Sequence, residues 1–480
     1  MIIMKDHNLN IADFKELLKR CLIDGLDIVK KKIEDEKDNS WMSMFDNHDE
    51  YPSISFFKNG LPSFYLKNSG KRNFSKIFIK DEKYLTIHSF VNYHDFIKES
   101  AFLKEYFEIY EFNRFNKPLT DDVVKAYILF NSYFFLSNFV DSYIHSYSLE
   151  FEQSNFEREY ELYVNSIISK KLNFDIIVPI LYISFDFENF DINESISIIK
   201  MDNKTQLSRN IQASYTTSTH KTVIGAATHA FILRNWSIDN IKSENISEIL
   251  NDVMAYSQPI NVIEKLFAIL RLISQAETGY CQIISRPTDS KRIFKTDLSD
   301  MYVVTERKYP DKFENYGWLK EVKLITSLEL SQFSTIFKKL NDIPKYEFAT
   351  KKLNSASLRK NDEDSILDIT SALESLLTND SKSEITYRLS IRASQLCKIK
   401  SFNNFKAREV YELCKKIYDY RSAVIHGEVK RIEKTKKITL ENTEDLEIIK
   451  ISFDLLRHCL LVLLESSIDD IKAIDDILFK

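Results

Sequence analysis

Glycine is nearly absent: the chain of 480 residues holds seven. Loops that wrap phosphate in backbone N–H groups need glycine where a Cβ would collide. Neither GxGxxG nor GxxxxGK followed by Ser or Thr occurs, which excludes the common nucleotide-binding loops. Cysteine is sparse and odd in number, with Cys21, Cys281, Cys397, Cys414 and Cys459 and no CxxC pair. That pattern fits a reduced interior and not a disulfide scaffold. The nine histidines include no HExxH and no paired Cys/His spacing, so no metal and no cofactor are expected. No run approaches the roughly 18 uninterrupted apolar residues of a membrane span. The first twenty residues carry Asp and Lys where a signal peptide is apolar, so a cytoplasmic protein is expected. Positive charge is not in excess either. Lys+Arg total 66 against 71 Asp+Glu, a net charge of −5, so a polyanion must bind a local patch.

What is plentiful is aromatic and helical. The 34 Phe and 24 Tyr imply a well-filled core. Residues 9–36 have helical period, with Leu17, Leu18, Cys21 and Leu22 on one face. Residues 51–93 carry short β-rich runs broken by KNGLP and KNSGKR, which predict hairpins. Helical pattern returns near residue 96, and Thr120 with Asp121 and Asp122 reads as a helix start. Residues 174–187, 194–201 and 230–238 read as strands, with further strands at CQIIS and MYVV, and Gly225 as a strand bend. Residues 246–277 read as helical, with Pro259 a kink or a boundary.

After Pro344 the strands disappear. DEDSILDITSALESLL puts Ile366, Ile369, Leu373, Leu376 and Leu377 on one stripe. A second helix starts at a serine cap, Ser383; a third, FKAREVYELCKKIYDYRSAVIHG, stops at Gly427; a fourth begins near TEDLEIIK. Short connections predict an antiparallel four-helix bundle. The expected class is α+β, predominantly α. Its three parts are a helical and hairpin region (1–170), a mixed α/β region (171–343) and the bundle (344–480).

The third bundle helix has an unusual residue on its packed face. Val410, Leu413, Cys414, Ile417 and Val424 form the stripe, and Arg421 falls about 20° from Val410 at 100° per residue. An arginine there needs a partner or a polar cavity. Glu374, Asp368 or Glu384 can supply a structural ion pair; alternatively the stem packs while the head reaches water. His426 stands at the last turn, and on its own reads as a simple cap. Residues 421–437 then carry six Lys/Arg and two Glu, +4 within an acidic chain. This is either a solvated run or a phosphate contact, with Lys430 and Arg431 as the candidates. Arg388 and Arg392 read as salt-bridge partners, and His88, His94, His220 and His229 as structural.

YRSAVIHG resembles the Arg-x4–6-His signature of HEPN domains, helical modules that cleave or bind RNA. DSILDITSALESLL, EITYRLSIRASQL and YDYRSAVIHG, in that order, are similar to the Apea-like HEPN subgroup of bacterial anti-phage defence proteins. The likeness covers about 360–430 and extends more loosely to 480. Two positions depart from it. Ser422 stands where many such ribonucleases have a polar Asn, Asp or His, and Glu428 replaces the tyrosine of the toxins silenced by nucleotidyl transfer.

The resemblance implies a metal-independent endoribonuclease. Arg421 forks onto phosphate oxygens and His426 acts as base or acid, with Ser422, Glu374 and Asp368 in support. It implies a homodimer through the bundle, because one histidine cannot easily stand at both ends of an in-line displacement. It also implies an RNA substrate (tRNA or mRNA), with residues 1–343 sensing a phage-derived trigger. The other readings are a HEPN bundle that binds RNA without cutting, and a regulatory scaffold in which the bundle only dimerises.

Overall fold

The computed structural model describes residues 11–35, 54–63, 74–80, 86–108, 120–216, 219–240, 258–291, 302–311, 313, 322–378, 384–439, 445–466, 468 and 471–479. The fold is α+β and mostly helical. The amino-terminal part comprises α1 (Ile11–Asp35), a hairpin of β1 (Ser55–Phe56) and β2 (Pro62–Ser63), then α2 (Ser75–Lys80), α3 (His88–Glu99), α4 (Ala101–Glu108), α5 (Asp121–Ser146) and α6 (Gln153–Ile168). The inward stripe of α1 runs through Phe14, Leu18, Cys21, Leu22, Leu26 and Val29, leaving Leu17 half-buried. A Cβ on Gly25 would lie 2.8 Å from Val140 Cγ2, so glycine permits the close approach of α1 to α5. By length and composition α5 could cross a membrane, but half of its most apolar stretch is buried in this helical core.

Two stretches expected as hairpin strands are helices. KIFIK lies in α2 and HSFV opens α3. An apolar run of four to six residues does not distinguish strand from helix by period. Here α5 decides: Asp141 Oδ1 accepts from Phe74 N at 2.6 Å, and the Tyr133 hydroxyl donates to Phe78 O at 2.9 Å. The two backbone ends of α2 are thereby satisfied from a neighbouring helix.

The middle part is built on β3 (Lys171–Pro179), β4 (Ile183–Phe185), β5 (Asn189–Asn193), β6 (Ile196–Lys200), α7 (Asn203–Thr216), α8 (Lys221–Gly225), β7 (His229–Asp239), α9 (Gln258–Ser274), β8 (Tyr280–Pro287), β9 (Tyr302–Lys308) and β10 (Lys323–Ile325). Six strands form one antiparallel sheet in the order β5-β6-β7-β3-β8-β9, while β4 pairs with β10 in parallel. Side chains alternate between its faces: Ile176, Val178, Phe231 and Leu233 point to the large core, Ile177, Ala230 and Ile232 away from it. Phe267 of α9 packs edge-on against Phe231, its ring centroid 5.2 Å away. Gly225 is no strand bend; it ends α8, whose Val223 and Ile224 pack with Cys281 of β8. Pro259 lies in the first described turn of α9, and the part of the expected helix before residue 258 lies outside the described residues.

The carboxy-terminal part holds α10 (Phe333–Asp342), α11 (Pro344–Ser357), α12 (Asp362–Leu377), α13 (Ile385–Ile399), α14 (Ala407–Ile425), α15 (Val429–Thr435), the pair β11 (Lys437–Ile438) and β12 (Leu446–Glu447), α16 (Ile448–Ser466) and α17 (Ile471–Asp475). The four expected helices are α12, α13, α14 and α16; α11 joins them as a fifth. Ser383 lies outside the described residues, and α12 packs against α11, α13, α14 and α16. One hydrophobic core runs without a break from the sheet through α9 into these helices, whereas residues 14–167 have their own. The core therefore changes near residue 170, and packing continues across 343/344.

Candidate functional site

Helix α14 buries Val410, Leu413, Cys414, Ile417, Tyr418, Tyr420 and Ala423, which fixes its rotation against α12 and α13. Arg421 then lies at the rim of the packed face, its side chain 35% exposed. Its guanidinium carbon sits over the Tyr418 ring, 5.9 Å from the centroid. Its Nη2 is 3.9 Å from Glu374 Oε1, in the last turn of α12. That oxygen also accepts the Tyr418 hydroxyl at 2.7 Å. Arg421 Nε is buried and has no hydrogen-bond partner among the described residues. An orphaned donor of this kind costs about 1–3 kcal/mol, so it is a place where polar capacity is held in reserve.

His426 follows the last helical residue and caps α14, with its backbone N–H donating to Ser422 O at 3.1 Å. Gly427 then adopts φ +65°. Its N–H donates to Val424 O at 3.1 Å, and Glu428 N–H donates to Ala423 O at 2.9 Å. These two bonds are the Schellman closure of a helix, which needs a left-handed residue and so favours glycine. The stop leaves the His426 imidazole exposed. It has no hydrogen bond or ion pair among the described residues. Ser422 is half-buried beside Arg421, and its hydroxyl likewise makes no hydrogen bond among the described residues.

The structure thus brings Arg421, Glu374, Ser422 and His426 to one end of the bundle and adds Tyr418, which sequence reasoning missed. Its signal was available: Tyr418 is three residues before Arg421 and so on the same helical face. Asp368 does not belong to this group. It lies six residues before Glu374, about 240° around α12, and its buried carboxylate is held by Lys352 Nζ at 2.7 Å and Arg359 Nε at 2.8 Å. Glu384 is also elsewhere, capping α13 with φ 58°.

Two cations of the basic run are committed to nearby acids. Arg431 is paired within the chain, its terminal nitrogens meeting Asp419 and Glu428, the latter at 3.0 Å. Lys436 pairs with Glu433 at 2.6 Å. Lys430 and Lys434 stay exposed with no ion pair among the described residues. Arg392 is a salt-bridge partner, clamped by Asp475 at 2.7 Å. The expected structural histidines behave as such where they are buried or capping. His229 lies within 2.7 Å of Phe187 O, and His220 accepts from Thr222 N at the start of α8.

Among the described residues no group of three or more His, Cys, Asp or Glu side chains can hold a metal ion. All five cysteines are free, and burial pushes the Cys281 and Cys397 thiols up to about 12, out of the reactive range. No family model, curated protein or solved structure matches the chain.

Proposed function

We propose that this protein is a metal-independent endoribonuclease of the HEPN type, acting on RNA in the bacterial cytoplasm as part of anti-phage defence. The observation that carries the reading is the state of Arg421: a guanidinium shelved on an aromatic ring, making no hydrogen bond among the described residues. It sits on the same helix as a solvent-facing imidazole. RNA supplies its own nucleophile. His426 takes the proton of the 2′-OH, which attacks the adjacent phosphorus. Arg421 holds the non-bridging oxygens as negative charge builds, and the 5′-oxygen departs with a proton given by the protonated His426 of a second copy. The products are a 2′,3′-cyclic phosphate and a 5′-OH.

A second copy of the bundle completes the site. Arg421 and His426 are five residues apart, hence about 140° around the helix and roughly 7.5 Å along it. One copy therefore offers its cation and its base in different directions. Two apolar residues flank His426, Ile425 at 48% and Val429 at 70% exposure, a surface suited to a homodimer contact. In that arrangement Arg421 of one copy and His426 of the other face one phosphodiester. Residues 1–343 answer to a phage-derived trigger, and the substrate is tRNA or mRNA.

The second reading is a bundle that grips RNA without cutting. It is favoured by Ser422, a weak substitute for the polar residue of active relatives, and by the acids that lace residues 428–436. The decisive experiment induces wild type, Arg421→Ala and His426→Ala in bacteria, with and without phage, and sequences RNA ends. Cyclic-phosphate ends that need both side chains are the expected outcome. Identical RNA ends from all three proteins, with the purified protein still binding RNA, would leave the non-cutting reading in possession.

A further inference from the structure

Tyr418 takes no proton and touches no phosphate in the scheme above, yet it contacts both groups that frame the site. Its ring lies under the Arg421 guanidinium and its hydroxyl donates to Glu374 Oε1 at 2.7 Å. We propose that Tyr418 is a positioning residue: it holds Glu374 in a hydrogen bond that keeps the carboxylate from closing on Arg421, and so leaves the guanidinium fork open to the RNA phosphate. This rests on the reading of Arg421 as the phosphate ligand.

The distances carry the argument. A charge-assisted N–H···O contact closes to about 2.8 Å, and Arg421 Nη2 stands at 3.9 Å from Glu374 Oε1. Asp368, on the same helix, shows the closed alternative, with Lys352 at 2.7 Å and Arg359 at 2.8 Å. Glu374 differs from Asp368 in having a neutral donor on the oxygen that faces its cation. Among the described residues the Tyr418 hydroxyl is the one hydrogen-bond donor to that side chain. Burial first, and then the bond to Glu374, raises the affinity of Tyr418 for its proton, so it remains a donor across the working range. Glu374 thus keeps enough negative charge nearby to orient Arg421 and too little contact to occupy it.

Tyr418→Phe tests this, because it keeps the ring under Arg421 and removes the hydroxyl. Oε1 then has no neutral donor, and the carboxylate swings onto Arg421. RNA must displace it on binding, before any chemistry, so the loss falls on KM more than on kcat. The expected change is a rise of about tenfold in KM for RNA, with the thermal midpoint near that of the wild type. Adding Glu374→Gln should rescue binding, since a neutral amide does not clamp the arginine. A crystal structure of the full-length Tyr418→Phe protein reads the same event without activity, as an Arg421–Glu374 contact near 2.8 Å. An unchanged 3.9 Å separation, or a double variant as impaired as Tyr418→Phe alone, would overturn the proposal. His426→Ala run alongside separates the two ideas. If wild type and His426→Ala alike fail to cut, the nuclease reading fails, and the crystal structure still decides what Tyr418 does.

Discussion

Among the described residues four arginines are buried, and their partners set Arg421 in contrast. Arg209 is fully enclosed and gives its guanidinium to Gln206, Gln282 and the carbonyls of Ile224, Gly225 and Ala227. Burial among neutral groups lowers it to about 9. Arg271 donates to Asn354 and Thr278 O, Arg392 to Asp475 and Leu377 O, and Arg457 to Leu272 O. These donors hold the fold together. Arg421, by contrast, makes no hydrogen bond among the described residues and meets Glu374 only at 3.9 Å, which leaves its fork open as a phosphate ligand requires. Buried histidine has an equally local consequence. Ser132 donates to Leu129 O, so His94 Nδ1–H donates to Ser132 Oγ at 2.9 Å and the buried Nε2 faces no donor. Burial holds His94 at about 4, against 6.5 when exposed. The unfolded chain therefore takes up the proton first as pH falls. The stability is fully present above 6.5 and is lost progressively toward 4. Denaturant titrations at pH 7 and pH 5 should show about 2 kcal/mol lost through this residue. His94→Gln should remove that part of the pH dependence; an equal pH dependence in the variant would place its origin elsewhere.

At the scale of elements, the end of α14 does the work of placing His426. Gly427 adopts φ +65° with nothing within 4 Å of where a Cβ would be, so its demand is conformational and not steric. Gly427→Ala should lower stability by about 1 kcal/mol, and Gly427→Asn by less, because Asn tolerates the left-handed region. Since the same turn aims the imidazole, the proposed ribonuclease activity should fall further for Ala than for Asn. Thermal melts and cleavage rates on the two variants check both orders. The stop at Gly427 was legible in the sequence because a glycine ended an amphipathic pattern. The helix α2 was not, because its ends are satisfied by Asp141 and Tyr133 of α5, some fifty to seventy residues away. The pairing of Arg431 was hidden for a related reason: charge counts show how many cations a run has, and only folding shows that Asp419, on the preceding helix, meets one of them.

Across the whole molecule, polar contacts join the shared core in tying the sheet to the bundle. Arg457 of α16 donates to Leu272 O in the last turn of α9, at 2.9 Å, capping that helix from the bundle. Glu264 of α9 accepts from the Tyr280 hydroxyl of β8 at 2.7 Å and from Asn354 of α11. The bundle is thus built onto α9, with no separate core of its own. A fragment of residues 171–480 should fold and run as a discrete species. A fragment of 344–480 should aggregate, because it exposes the face that α9 and Phe333 cover. Size-exclusion chromatography and circular dichroism on the two fragments decide this; a monodisperse, cooperatively melting 344–480 would show the bundle to be autonomous.

The sequence by itself determined four helices of the bundle, the sheet strands β3, β6, β7, β8 and β9 but not the edge strand β5, and the place of Arg421 and His426 on one helix. Each of these follows from local periodicity, in which apolar residues recur every two or every three to four positions, and from glycine as a stop. Tertiary structure alone decided which acid faces Arg421, giving Glu374 and sending Asp368 to Lys352 and Arg359. It also decided that Tyr418 stands between them and that one core spans the boundary at 343/344. Partner choice depends on the rotation and register of packed helices, which are fixed by contacts between residues distant in the chain.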